Sequence, residues 1–279
     1  MLMRKIKKVL KWLGAMLLVF VISFLGTAAA NDSLSVDKLL TGTKQIVSLG
    51  ENQVSQRNSL SQGIDAMESN STLNRLERVF FLKQAVNARI NSANYVKLQD
   101  IPESMQQAVV AVEDRKFYNH WGFDMEGIFR ASLVNLQYGQ VREGASTITQ
   151  QLVKNLFLSQ EQTMGRKAEE FVLAMDMELN YSKDEILELY LNTIYFGSGY
   201  YGIKEASQGY FGKEPAMLAL PESAMLAGIP NAPSLYSPYV DFMLAKKRQF
   251  IVLDAMTAAG YLRESVADDA KIKPIYLAH

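Results

Sequence analysis

The chain contains no cysteine, which excludes disulfides, thiolate nucleophiles and cysteine-bound zinc together. Histidine is almost as scarce: of the two present, His279 is the last residue and His120 alone lies inside the sequence. There is no HExxH pair to hold a catalytic metal, and no GxSxG elbow to present a serine. A Ser-His-Asp triad would have to use His120, which stands in an Asn-His-Trp-Gly stretch directly after a predicted helix. That setting favours a hydrogen-bonding turn residue over a catalytic base. Net charge is lacking as well, since 29 bases and 29 acids cancel. Setting aside the five bases of residues 1–11 leaves 24 against 29 acids, a net of −5. No bulk basic field remains to attract nucleic acid, and no nucleic-acid partner is expected. Alternating and β-branched runs are few, so strands should be minor and the fold mainly α.

One long apolar run is present. Residues 12–30, WLGAMLLVFVISFLGTAAA, carry no charge over 19 positions and follow those five bases. That is about the length of a helix crossing the hydrocarbon core, with a positive flank that predicts a cytoplasmic N-terminus. Ala28 and Ala30 also supply an A-x-A pattern, so a cleaved signal peptide is the rival reading. The anchor is favoured because the run exceeds the usual ~7–15 residue signal core. Either way the body of the protein is expected outside the cytoplasm. The predicted organisation is therefore a basic tail (1–11), an anchor (12–30), a stalk and lead-in helix (31–94) and a main domain (95–279).

The stalk is rich in Ser, Asn, Gln and Gly, as a spacer would be. Its Ser35-Val36-Asp37-Lys38 is formally SxxK, but no SDN or KTG element follows, so it reads as chance. Apolar residues at Leu73, Leu76, Phe80, Leu82 and Val86 predict an amphipathic lead-in helix, packed on the main domain or lying at the membrane surface. Beyond it the chain reads as helix after helix. Pro102 opens one at its favoured first position, burying Met105, Ala108, Val109 and Val112 and ending near Glu113. Asp124 caps a second through Tyr138, and Ile148, Leu152, Leu156 and Leu158 mark a third. A fourth covers 166–179 and buries Phe171, Ala174 and Met175; Ser182 and Glu185 form the capping box of a fifth, through Tyr195. Pro221 opens a sixth that stops at Gly228, and a last long helix runs from 241 to 259.

Three features carry chemistry. Residues 108–151 join an adjacent acid pair, Glu113 and Asp114, to two bases, four aromatics, His120 and a small-residue turn leading into Thr147-Ile148-Thr149-Gln150-Gln151. Glu170 has Arg166 at i−4 and Lys167 at i−3, which is either an ordinary helix-surface arrangement or part of a phosphate clamp with Lys154. Gly197, Gly199 and Gly202 formally spell GxGxxG, but they follow a capped helix rather than a strand, so they should shape a turn.

Together these residues resemble the peptidoglycan glycosyltransferases of glycosyltransferase family 51, in their monofunctional, membrane-anchored form. EDRKFYNHWG at 113–122 looks like the family's EDxxFxxHxG motif. GASTITQQ at 144–151, RKAEE at 166–170 and ILELYLNTIYFG at 186–197 match the next three. Glu222, Leu226, Ala227, Gly228, Pro230 and Pro233 carry the fifth. The resemblance implies a lysozyme-like, two-lobed helical domain preceded by a single transmembrane helix. It implies polymerisation of lipid II at the membrane bilayer without crosslinking, alongside other cell-wall synthesis proteins. Glu113 matches the general base and Glu170 the second glutamate. Lys154, Arg166 and Lys167 match cations for the pyrophosphate, with a divalent cation (Mg²⁺ or Mn²⁺) as a further aid. Asp114, Ser146, Thr147, Gln150, Gln151 and Asn155 match substrate-binding positions. The aromatics after the base are implied to sit partly in the bilayer. A lysozyme-like hydrolase and an inactive cell-wall scaffold are the competing readings.

Overall fold

The computed structural model describes residues 81–138, 146–158 and 164–278. The expected tail, anchor and stalk lie outside the described residues, as do most of the lead-in helix and the turn residues Gly144 and Ala145. Among the described residues no helix is long and apolar enough to cross a membrane. The chain clusters into two compact units, 82–158 with 170–279, and 1–81 with 159–169. The first of these holds the core.

Its helices are α1 (Leu82–Asn87), α2 (Glu103–Glu113), α3 (Met125–Tyr138), α4 (Ile148–Phe157), α5 (Met164–Asn180, which begins in the other unit) and α6 (Lys183–Thr193). They continue as α7 (Gly202–Phe211), α8 (Leu220–Gly228), the single turn α9 (Pro233–Tyr236), α10 (Phe242–Ala258) and α11 (Glu264–Ile272). Among the described residues the only β pairing is one bridge, Tyr195 to Tyr201, so the mainly α expectation holds.

Helices α2, α8 and α10 pack on one another and form the centre of the unit. In α2, Met105, Ala108 and Val109 are fully buried, while Val112 at the end of the predicted stripe is only half-buried. Each large apolar side chain buried in this way contributes about 1.5–3 kcal/mol. Helix α8 is buried from Pro221 through Gly228, and its Ser, Ala and Gly residues let two neighbours approach it closely. A second pair, α4 on α6, carries α7 against α6. Tyr190 and Tyr210 are among the largest side chains sealed in the interior.

Several boundaries differ from expectation for clear reasons. Pro102 is the cap residue of α2 rather than its first helical residue, with an extended ψ of 140°. Helix α6 stops at Thr193, two residues before the predicted Tyr195, because Tyr195 is drawn into its bridge with Tyr201. The face of α5 that is buried is Glu170, Leu173, Ala174 and Met177; Phe171 and Met175 are only half-buried. Helices α7 and α11 were not expected. α7 carries a glycine, Gly209, in its interior, which weakens any sequence signal. α11 buries only Ala267 and Ala270 against α10, too little to stand out as a stripe.

The glycine run after α6 is a turn, as its context predicted, and not a nucleotide-binding fingerprint. Gly202 has φ +79°, and a Cβ there would stand 2.5 Å from the Asn192 carbonyl oxygen. The residue must be glycine because a backbone passes where a side chain would be.

Candidate active site

Helix α2 ends on Glu113 because Asp114 leaves the helical conformation, at φ −157° and ψ 74°. Its carboxylate therefore sits at a helix C-terminus, where the aligned carbonyls already carry partial negative charge. One oxygen, Oε2, accepts a 2.8 Å hydrogen bond from Gln151 Nε2. The other, Oε1, is buried with no protein partner. Burial pushes the Glu113 carboxyl above the ordinary carboxylate range; the Gln151 bond and the charges of Arg248 and Lys154 pull it back, and Asp114 adds to the rise. A carboxylate held by one donor, with its second oxygen waiting, is built to accept a proton.

Gln151 stands on α4, and Lys154 and Asn155 follow it at i+3 and i+4 on the same face. Lys154 and Asn155 are exposed, as is Ser146 just before the helix. Gln151 thus bonds Glu113, and the Lys154 charge acts on the same carboxylate. Arg115 and Lys116, next to the acid pair in sequence, are turned elsewhere: Arg115 donates to the Ala258 carbonyl and Lys116 pairs with Glu126.

Three predicted substrate ligands have internal partners instead of an open face. Asp114 is 7% exposed and accepts from the Ile148 N–H at 3.0 Å, capping the start of α4. His120 Nε2 lies 2.9 Å from both of its oxygens. A carboxylate only accepts, so that nitrogen carries the hydrogen, and His120 acts as the turn residue expected of it. Thr147 and Gln150 form the reciprocal capping box of α4, and Thr147 Oγ1 also donates to the Gly122 carbonyl at 2.7 Å. These three polar side chains hold α4 against the loop that follows Glu113. They place Gln151 rather than face outward. Glu170 is buried at 2% exposure within α5. Arg166 and Lys167 belong to the first turns of that helix, in the other compact unit.

Two residues of the site were not foreseen. Arg248 sits in a Lys-Lys-Arg run on α10 that looks like surface charge, yet its Nε donates to the Gly228 carbonyl at 3.3 Å and its charge reaches Glu113. A Cβ on Gly228 would stand 2.7 Å from Arg248 Cγ, so the glycine clears its path. Tyr190 is fully buried on α6, and its hydroxyl donates to Gln151 Oε1 at 3.1 Å. Tyr190 lies within the ILELYLNTIYFG motif, but nothing in the motif alone tells its hydroxyl from that of a core tyrosine.

Among the described residues no group of three or more His, Asp or Glu side chains is placed to hold a metal ion. Among the described residues no all-protein Mg²⁺ or Mn²⁺ cage is therefore offered. A cavity of about 600 Å³ opens away from this cluster, beside Tyr95, Lys97, Tyr181, Glu185 and Glu188. The polar groups at its wall satisfy one another: Glu188 accepts from the Tyr95 hydroxyl at 2.8 Å and the Leu98 N–H at 2.7 Å.

Comparison with known proteins bears on the same residues. The sequence signature of the family described as Transglycosylase matches residues 82–257, which include Glu113, Gln151, Tyr190 and Arg248. Penicillin-binding protein 1A of Aquifex aeolicus is 46% identical over 181 residues, 65% of this chain and 25% of that protein. The protein of the same name from Neisseria gonorrhoeae is 50% identical over 176 residues, 63% of this chain and 22% of that protein. The crystal structure of penicillin-binding protein 1A from Haemophilus influenzae aligns at a TM-score of 0.40 and 26% identity, covering 66% of this chain and 18% of that one. The chain thus spans about a quarter of the length of the curated relatives it matches.

Proposed function

This chain belongs to the transglycosylase family, the peptidoglycan glycosyltransferases, and from that premise we propose that it polymerises lipid II into β-1,4-linked glycan strands outside the cytoplasmic membrane. The observation that carries the mechanism is Glu113: half-buried as a residue, raised above the ordinary carboxylate range chiefly by desolvation, and left with one buried oxygen unpartnered. In the proposed step Glu113 takes the proton from the acceptor sugar's 4-hydroxyl. The freed oxygen attacks the anomeric carbon of the growing strand, and the bond to undecaprenyl pyrophosphate breaks with its electron pair on the phosphate. A single displacement at an α-linked carbon gives a β-linkage.

The departing pyrophosphate develops charge that needs cations. Lys154 supplies one beside Gln151, and Arg248 balances the same corner from α10. Arg166 and Lys167 are proposed as further pyrophosphate ligands on the strength of the RKAEE motif alone, with Glu170 as the motif's positioning glutamate. Exposed Ser146 and Asn155 are proposed to hydrogen-bond the donor strand. A divalent cation belongs, in this reading, to the pyrophosphate it accompanies, and no step is assigned to it. The lysozyme-like two-lobed arrangement is part of the same proposal.

The bilayer is the proposed surface of action because the substrate's lipid cannot leave it. Trp121, Met125 and Phe129 are 69%, 64% and 68% exposed in and after the loop that follows the base. Phe123, which the resemblance placed with them, instead packs on Phe171 with ring centroids 4.6 Å apart. Replacing Trp121 and Phe129 with Ser should weaken liposome binding of a form lacking residues 1–30 while leaving its helical circular dichroism intact. Equal binding by parent and variant would remove this loop from the membrane.

The deciding experiment is incubation of the purified full chain with labelled lipid II, alongside Glu113→Gln, with products resolved on a gel. A polymer ladder from the parent and none from the variant is expected. A ladder from both would remove Glu113 from its role. Shortened finished glycan with no ladder would move the protein to the hydrolase reading, and neither product would leave the scaffold.

A further inference from the structure

The hydrogen-bond chain behind Glu113 does not end at Gln151. Tyr190 Oη, Gln151 and Glu113 form a line across three helices, α6, α4 and α2, with contacts of 3.1 Å and 2.8 Å. Each group in it has a defined sense. A tyrosine at neutral pH donates; burial, with the Glu113 and Asp114 charges adding to it, holds the Tyr190 phenol well above its ordinary range. An ionised carboxylate can only accept. The carboxamide between them has a donor end and an acceptor end, so one orientation satisfies both neighbours and the flipped one satisfies neither fully.

We propose that Tyr190 is a positioning residue for the base: by donating to Gln151 Oε1 it locks the carboxamide so that its N–H faces Glu113 and favours the ionised, proton-accepting carboxylate. Without the phenol, Gln151 is free to turn its oxygen toward a protonated Glu113 and accept from it. The amide then serves either protonation state, and the preference for the carboxylate is lost. Tyr190 never touches substrate in this account; it acts through Gln151.

The surroundings leave this lock a defined share of the control. Asp114 faces Glu113 from the end of α2, Lys154 from α4 and Arg248 from α10. On α8 the only titratable group is Glu222, engaged by Lys213 at 2.6 Å and by the Ala219 N–H at 2.9 Å. Tyr190 is the ionisable group that α6 brings to Gln151. None of the charged neighbours needs to move when the phenol is removed.

This inference rests on the reading of Glu113 as the base, and the test separates the two. In Tyr190→Phe, the acid limb of the polymerisation rate against pH should move up by about half to one unit, the scale of a weakened hydrogen bond to a charged group. The rate on the alkaline side should stay within about threefold of the parent. In parallel, the Glu113 signal of full-length protein labelled with [δ-¹³C]glutamate, assigned by its loss in Glu113→Gln, should titrate higher by the same amount. Unmoved titration and unmoved limb in a folded variant overturn the lock, and so does a uniform loss of rate without a shift. A moved carbon titration with an unmoved rate limb keeps the lock and removes Glu113 as the base.

Gln151→Met gives a second measurement. It should raise the Glu113 titration at least as far, and Tyr190→Phe added to it should shift nothing more, because the phenol acts only through the amide. A further shift in the double variant overturns the proposal.

Discussion

Two glutamates on neighbouring parts of the same unit are held in opposite ways. Glu188, on α6, accepts from the Tyr95 hydroxyl, the Leu98 N–H and, at 3.3 Å, the exposed Lys97 ammonium. Burial alone would raise it, but the Leu98, Tyr95 and Lys97 contacts outweigh burial and hold it below the ordinary carboxylate range. Glu113, at the end of α2, has one protein donor and one orphan oxygen, and burial wins. Burial weighs more heavily on Glu113 than on Glu188, and Glu113 also has fewer donors to offset it. A glutamate that ties segments together is fully partnered, whereas one that must receive a proton is left short of partners.

The largest expected effect separates their functions. Glu113→Gln should lower polymer formation by roughly 10²–10⁴-fold, the usual worth of a positioned base. Glu188→Gln should leave it within a few-fold, and a folded Glu188→Gln with no polymer would break the comparison. The next effect separates their structural roles. Glu188→Ala should cost about 1–2 kcal/mol in denaturant titration near neutral pH, mainly from the Leu98 and Tyr95 bonds, since exposed Lys97 adds little. Because the folded-state value of Glu188 is depressed, its contribution is present above the unfolded carboxylate range and is lost as pH falls through the folded value. The gap between parent and Glu188→Ala should therefore narrow in acid.

Gly228→Ala sharpens the Glu113 side. The new methyl would press on Arg248 Cγ, at about 1–3 kcal/mol for overpacking, and displace a charge that favours ionised Glu113. Its acid limb of activity should move upward. The smallest effect is one of sign. Glu113 has a raised folded value, so the folded state loses stability as pH rises from the unfolded carboxylate range through that value. Glu113→Gln should accordingly melt slightly higher than the parent at neutral pH, and the difference should vanish in acid. A melting temperature that falls at neutral pH would mean that the ionised carboxylate is holding the structure together, as Glu188 does.

The legible part of this protein was local. Capping residues, stripes and glycine stops placed α2, α4, α6, α8 and α10 within a few residues, because such signals are read by the backbone within a turn or two. The motif around Glu113 pointed to the base, and residues 148–155 already set Gln151, Lys154 and Asn155 on one face of α4. Sequence also pointed to a mainly helical domain, the family and the turn role of His120.

Tertiary structure decided the employment of each polar group. Asp114, Thr147 and Gln150 are as polar in the sequence as Gln151, yet they are bound to His120, the Ile148 N–H, Gly122 and one another. Gln151 alone among them reaches Glu113. Arg248 and Tyr190 lie 135 and 77 positions from Glu113 in the chain and meet its corner only because α10 and α6 pack there. Helix formation depends on neighbours a few residues apart, so it was written locally. Whether a carboxylate finds three donors or one depends on which distant helices arrive beside it, and only the packed core determines that.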